Sequence, residues 1–100
     1  MAKGKEADFT NQVRSLARDM GWLEMHPYRS DRSTPGYPDL TLARAPWVIT
    51  AELKLDDKRS KLSPAQEVWK NELERCDEHA YYLWRPSNLD DIAKILYETR

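Results

Sequence analysis

The chain has a single cysteine, Cys76, so no internal disulfide can form and no thiol pair stands at metal-site spacing. A reducing compartment is expected, with Cys76 read as a small buried hydrophobe. No apolar run approaches the ~20 residues that span a bilayer. The N-terminus, MAKGKEADF, carries no apolar segment after its lysines, so neither a membrane span nor a signal peptide fits and a cytoplasmic protein is expected. Glycine is scarce, at 3 residues, and 33% of residues are charged, which argues against low complexity and disorder. Charge of one sign is also missing. A net charge of −1 excludes a broadly basic nucleic-acid binder, so any such partner must be met by a local patch. Arg29 and Arg32, and on the far side of an apolar run Lys54, Lys58, Arg59 and Lys61, are the candidate patches.

What is present is enough for one small core. At 100 residues, 40% of them hydrophobic, the chain is read as one α/β domain over 1–100, with residues 1–5 a flexible lead. Phe9, Val13, Leu16, Ala17 and Met20 recur at helical spacing, and Gly21 stands where a helix C-cap belongs. Residues Trp22 to Tyr28 read as a short strand stopped by Pro27. Pro35 and Gly36 suit the central positions of a type II turn, because proline presets the first φ and glycine accepts the positive second one. Two strands follow, PDLTLAR and WVITAELKL, separated by Ala45-Pro46 and close enough to form an antiparallel hairpin. Ser63-Pro64-Ala65-Gln66 looks like a helix start, with Ala65, Val68, Trp69, Leu73 and Cys76 on its apolar side. A fourth strand, HAYYLWRP, is expected to pair parallel to the third, because a helix crosses between them. Ser87 or Asn88 caps a last helix. The order is α-β-β-β-α-β-α, a mixed four-stranded sheet flanked by helices.

The third strand carries two charges within an apolar run. Side chains alternate, so Val48, Thr50, Glu52 and Lys54 share one face, and Asp39 shares a face with Thr41 on the preceding strand. If the hairpin aligns these faces, Asp39, Glu52 and Lys54 converge. Two carboxylates suit a hard divalent ion such as Mg²⁺ or Mn²⁺, and an ammonium beside them can orient water or neutralise a phosphate. The plain alternative is a solvent-facing Glu52–Lys54 ion pair, with Asp39 closing the turn. On the first helix, at about 100° per residue, Glu6 falls within roughly 40° of the apolar direction and Asp8 about 120° away. Glu6 is either a third carboxylate of the site or a frayed-end acid favouring the helix N-terminus.

With these residues in hand, the chain resembles the VRR-NUC family, a branch of the Pro-Asp…(Asp/Glu)-X-Lys nuclease superfamily. The matching segments are EADFTNQV, GWLEMH, PGYPDLTL, ELK, KLSPAQEVW and YYLWRPSNLDDI, in that order over nearly the whole chain. The resemblance implies a restriction-endonuclease-like core and metal-dependent phosphodiester hydrolysis. It implies that Asp39 and Glu52 are metal ligands, that Leu53 offers a backbone carbonyl, and that Lys54 positions or activates the attacking water. Glu6 matches the acidic position of the first helix and Gln66 the glutamine of the second. Gln66 is equally the reciprocal partner of Ser63 in a capping box. His26 sits where the family often shows histidine, though a packed or hydrogen-bonded strand histidine explains it as well. Tyr37 reads as a base-stacking residue or a half-buried turn aromatic. Lys58, Arg59 and Lys61 read as phosphate contacts or as a solvated loop, and Trp69 and Trp84 as core.

The resemblance thus implies a DNA endonuclease selecting branched DNA such as Holliday junctions or flaps, acting as a homodimer, phage- or prophage-derived, with no organic cofactor. Two rivals remain open: a restriction-type endonuclease reading a defined site, and a DNA-binding or assembly module of the same fold without activity.

Overall fold

The structure, a computed structural model, describes residues 2–27, 34–56 and 61–100. The element order is α1 (Ala2–Asp19), β1 (Leu23–Met25), β2 (Leu40–Arg44), β3 (Trp47–Leu53), α2 (Pro64–Leu73), β4 (His79–Trp84), a 3₁₀ turn over Pro86–Asn88, and α3 (Leu89–Glu98). One sheet runs β1-β2-β3-β4. Its first two pairings are antiparallel and the last is parallel, as the crossover through α2 requires. Arg29, Arg32, Lys58 and Arg59 lie outside the described residues. Among the described residues no helix is long and apolar enough to cross a membrane.

Local chemistry explains the boundaries. α1 stops in a Schellman arrangement: Gly21 takes φ 85°, and the Trp22 and Gly21 N–H groups donate to Ala17 O and Arg18 O, both at 3.0 Å. The helix begins at Ala2, earlier than its apolar spacing indicates, because polar residues extend a helix without contributing to that spacing. The expected type II turn is present, with Tyr37 N–H donating to Thr34 O at 3.1 Å and Gly36 at φ 84°. Ser63 and Gln66 form the full capping box at the start of α2. Asn88 precedes α3 but makes no side-chain cap; its Oδ1 accepts from Arg85 N–H instead, at 2.8 Å. β1 is shorter than its sequence pattern, ending at Met25, two residues before Pro27.

The core lies on one face of the sheet. Leu40, Leu42, Ile49, Ala51, Leu53 and Trp84 meet Phe9, Val13 and Ala17 of α1 and Ile92 and Leu96 of α3, and each fully buried Leu or Ile contributes roughly 1.5–3 kcal/mol by leaving water. The other face carries α2, which has no buried residue. Two expectations fail there. Trp69 is not in the core; it packs edge-on against Tyr37, ring centroids 4.9 Å apart. Cys76 is exposed, because α2 ends at Leu73 and leaves it in the following turn. A helix lying on a partly polar sheet face needs only a narrow apolar strip, so Val68 also stays in solvent.

Candidate active site

The end of the hairpin next to Asp39 builds the site. The β2–β3 ladder closes at Leu40 opposite Ala51, so the next pair outward is Asp39 and Glu52. Asp39 no longer pairs by its backbone. Its Oδ2 accepts the Leu53 N–H at 2.8 Å, and its carbonyl accepts from His26 Nδ1 at 2.9 Å. A carbonyl can only accept, so His26 carries a proton on Nδ1. β3 runs on to Leu53 by pairing with β4, Glu52 against Leu83 and Leu53 against Trp84, and Lys54 follows immediately. The Lys54 N–H is held by Trp84 O at 2.9 Å.

Glu52 is 0% exposed. The alternative of a solvent-facing ion pair is therefore excluded: Lys54 makes no ion pair among the described residues, and Glu52 lies under α2. Gln66 Nε2 donates to Glu52 Oε1 at 3.3 Å, while Glu52 Oε2 is buried without a hydrogen-bond partner among the described residues. Burial pushes the Glu52 carboxyl up to about 8; the Asp39 charge adds to this, and Lys54 opposes it. A carboxyl held this far from its ordinary range marks a functional-site candidate.

A cavity of about 550 Å³ opens at this end, lined by Glu6, His26, Asp39, Leu53, Lys54 and Gln66 among others. Glu6 lines it and Asp8 does not; Asp8 borders a separate hollow with Leu55 and Asp56, as the helical angles anticipate. Among the described residues no three His, Cys, Asp or Glu side chains stand close enough to hold one ion, so Glu6 faces the carboxylate pair without joining it. Tyr37 also lines the cavity, but its hydroxyl pairs with Thr41 Oγ1 at 3.0 Å and its ring packs nearly perpendicular to Trp69. Lys61 is exposed and is not part of the lining. Gln66 forms the capping box and also reaches Glu52. Its Oε1 accepts the Ser63 N–H at 2.8 Å, which turns its NH₂ toward Glu52. Thr10 and Asn11, which the sequence reading passed over, line the cavity beside Glu6; Thr10, four residues after Glu6, was within reach of the same helical arithmetic.

The donor set suits a hard divalent cation: two adjacent carboxylates, one with a buried unpartnered oxygen, and a backbone carbonyl nearby. A positive ion would also offset the repulsion between the half-buried Asp39 and the buried Glu52, since neighbouring like charges disfavour joint ionisation.

By sequence, the chain matches no family model and no curated protein. By structure, it is similar to a solved VRR_NUC domain with a TM-score of 0.67 at 18% identity, over 94% of this chain and 96% of that one. The chain has the VRR_NUC fold, a restriction-endonuclease-like mixed sheet between helices.

Proposed function

We propose that the protein is a divalent-metal-dependent endodeoxyribonuclease that hydrolyses phosphodiester bonds. The observation that carries this reading is Glu52, a fully buried acid set against Asp39 with one oxygen unpartnered, behind an open cavity whose wall includes Asp39, Leu53, Lys54 and Gln66, on a fold shared with a VRR_NUC domain. Asp39, Glu52 and the Leu53 carbonyl would hold Mg²⁺ or Mn²⁺, with Glu6 on the wall of the adjoining cavity. A bound ion would supply positive charge to the phosphate oxygens. Lys54 lines the cavity, where its ammonium can orient the attacking water or neutralise charge developing on the phosphate. Gln66 would hold Glu52 in place through its Nε2 donor.

The preferred substrate in this proposal is branched DNA, a four-way junction or flap. With net charge −1 the chain has no general electrostatic hold on duplex DNA, which favours a shape that brings several phosphates to one patch. Cutting both strands of a junction needs two sites, so the working species is a homodimer.

The test is nicking of a labelled four-way junction and the matching linear duplex, with Mg²⁺ or Mn²⁺, with chelator, and with Glu52→Ala and Lys54→Ala. Metal-dependent cutting of the junction, lost in both variants, is expected. Equal cutting by Glu52→Ala would sink the mechanism. Binding without cutting under any metal would leave a non-catalytic DNA-binding module. Light scattering at working concentration checks the dimer, and a monomer mass would remove it.

A further inference from the structure

The sheet face beneath α2 holds two buried polar atoms with no hydrogen-bond partner among the described residues, Glu52 Oε2 and Tyr81 Oη. Trp84 Nε1, also unpartnered, belongs to the opposite face. Parallel pairing sets Tyr81 against Thr50 and Leu83 against Glu52, so Tyr81 is the diagonal neighbour of Glu52 on one face. Diagonal neighbours lie about 7–8 Å apart at the backbone, within reach of an aromatic and a long side chain.

The neighbouring side chains Thr50, His79 and Gln66 are engaged elsewhere, so none of them is left to serve the two unpartnered atoms. Thr50 Oγ1 is engaged by His79 Nε2 at 2.8 Å, and His79 Nδ1 donates to Leu73 O at 3.0 Å. Gln66 is committed to Ser63 and to Glu52 Oε1. A tyrosine phenol is an O–H donor. Buried polar groups are satisfied in the great majority of cases, and here one unused donor and one unused acceptor share a face.

We propose that Tyr81 is a positioning residue for Glu52, its phenol donating through one bridging water to Glu52 Oε2. Gln66 then fixes one carboxylate oxygen and Tyr81 the other, and each retains lone pairs for an ion. The carboxylate plane is set from both sides, so Glu52 is held in one orientation beside Asp39. This rests on the reading of Glu52 as a metal ligand.

The experiment is Tyr81→Phe, which removes one oxygen and keeps the ring, compared with wild type by Mn²⁺ titration and by thermal unfolding without metal. Loss of a partner that orients a ligand is expected to weaken Mn²⁺ binding about tenfold, and to lower the metal-free Tm by roughly 4–8 °C. An unengaged hydroxyl predicts the reverse: unchanged Mn²⁺ affinity and an unchanged or higher Tm, and that result overturns the proposal. If wild type binds no Mn²⁺, the metal reading fails separately, and the Tm values of Tyr81→Phe, Glu52→Leu and the double variant decide the contact. Non-additive shifts sustain it and additive shifts remove it.

Discussion

Gln66 uses the two ends of one amide for two purposes: its Oε1 caps α2 through Ser63 N–H, and its Nε2 holds Glu52 Oε1. Gln66→Ala loses both, so it is expected to destabilise the fold by about 1 kcal/mol, as loss of a cap does, and to cut nuclease activity by one to two orders of magnitude, as loss of a ligand's partner does. Gln66→Glu separates the two. Glutamate serves equally in a capping box, so the helix start survives, but a carboxylate now faces Glu52. Thermal unfolding near that of wild type at acid pH, with activity lost, is the expected pair of results.

Glu52 makes the metal-free protein sensitive to pH. Its carboxyl is raised from an ordinary 4.5 to about 8, so between those values the folded state keeps a proton that the unfolded chain releases. Stability is full below about 4.5 and falls as pH rises towards 8. Glu52→Gln is expected to flatten this slope and to raise the metal-free Tm at pH 8. An ion must displace the same proton, so Mn²⁺ affinity is expected to rise by up to about tenfold per pH unit below 8 and then level off. Calorimetry across that range checks both, and a pH-independent affinity would contradict the proton linkage.

Asp39 tests structure against chemistry. Its Oδ2 satisfies Leu53 N–H at 2.8 Å. Asp39→Ala strands that donor, at a cost of about 1–3 kcal/mol. Asp39→Asn can keep the bond with its amide oxygen, so near wild-type stability is expected. Both variants are expected to lose cutting, since neither offers a carboxylate to an ion. Cutting by Asp39→Asn at the wild-type rate would refute the role.

Arg44 is expected to matter for stability alone. Its guanidinium donates to Met20 O, Leu96 O and Thr99 O and lies over the Trp22 ring, 4.5 Å from its centroid. One cation thus closes the C-terminal ends of α1 and α3. Arg44→Ala is expected to cost roughly 2–4 kcal/mol in denaturant unfolding, while the rate of cutting per folded molecule stays unchanged.

The sequence made the element order, the hairpin, the parallel crossover and the convergence of Asp39 with Glu52 legible, because each follows from a local rule: glycine at positive φ, a capping box, alternation along a strand. It could not show that Glu52 is buried. Alternation says which side chains share a face; whether that face meets water depends on where α2 lands. The same gap misplaced Trp69 and Cys76, whose helical spacing fits a core that lies on the other side of the sheet. Burial of Glu52 also removes the solvent-facing ion pair with Lys54, so the convergence of these residues was readable while its electrostatics were not.

Two glycines with nearly the same backbone angle give the last prediction. Gly21 and Gly36 take φ 85° and 84°, so alanine at either meets strain of roughly 1–2 kcal/mol. Their surroundings differ. A Cβ at Gly21 would find its nearest atom, Arg44 Cδ, at 4.0 Å, whereas one at Gly36 would fall 2.4 Å from the Ala65 carbonyl carbon and oxygen. Those are backbone atoms of α2, one residue before Gln66, and they cannot rotate away. Gly36→Ala must therefore push the turn and the helix apart, loosening Gln66 from Glu52. Gly21→Ala is expected to lower Tm and leave cutting of folded protein intact. Gly36→Ala is expected to cost more stability and also to weaken Mn²⁺ binding well below its Tm. If both variants lose stability alike and bind Mn²⁺ as wild type does, the turn is not what holds α2 over the site.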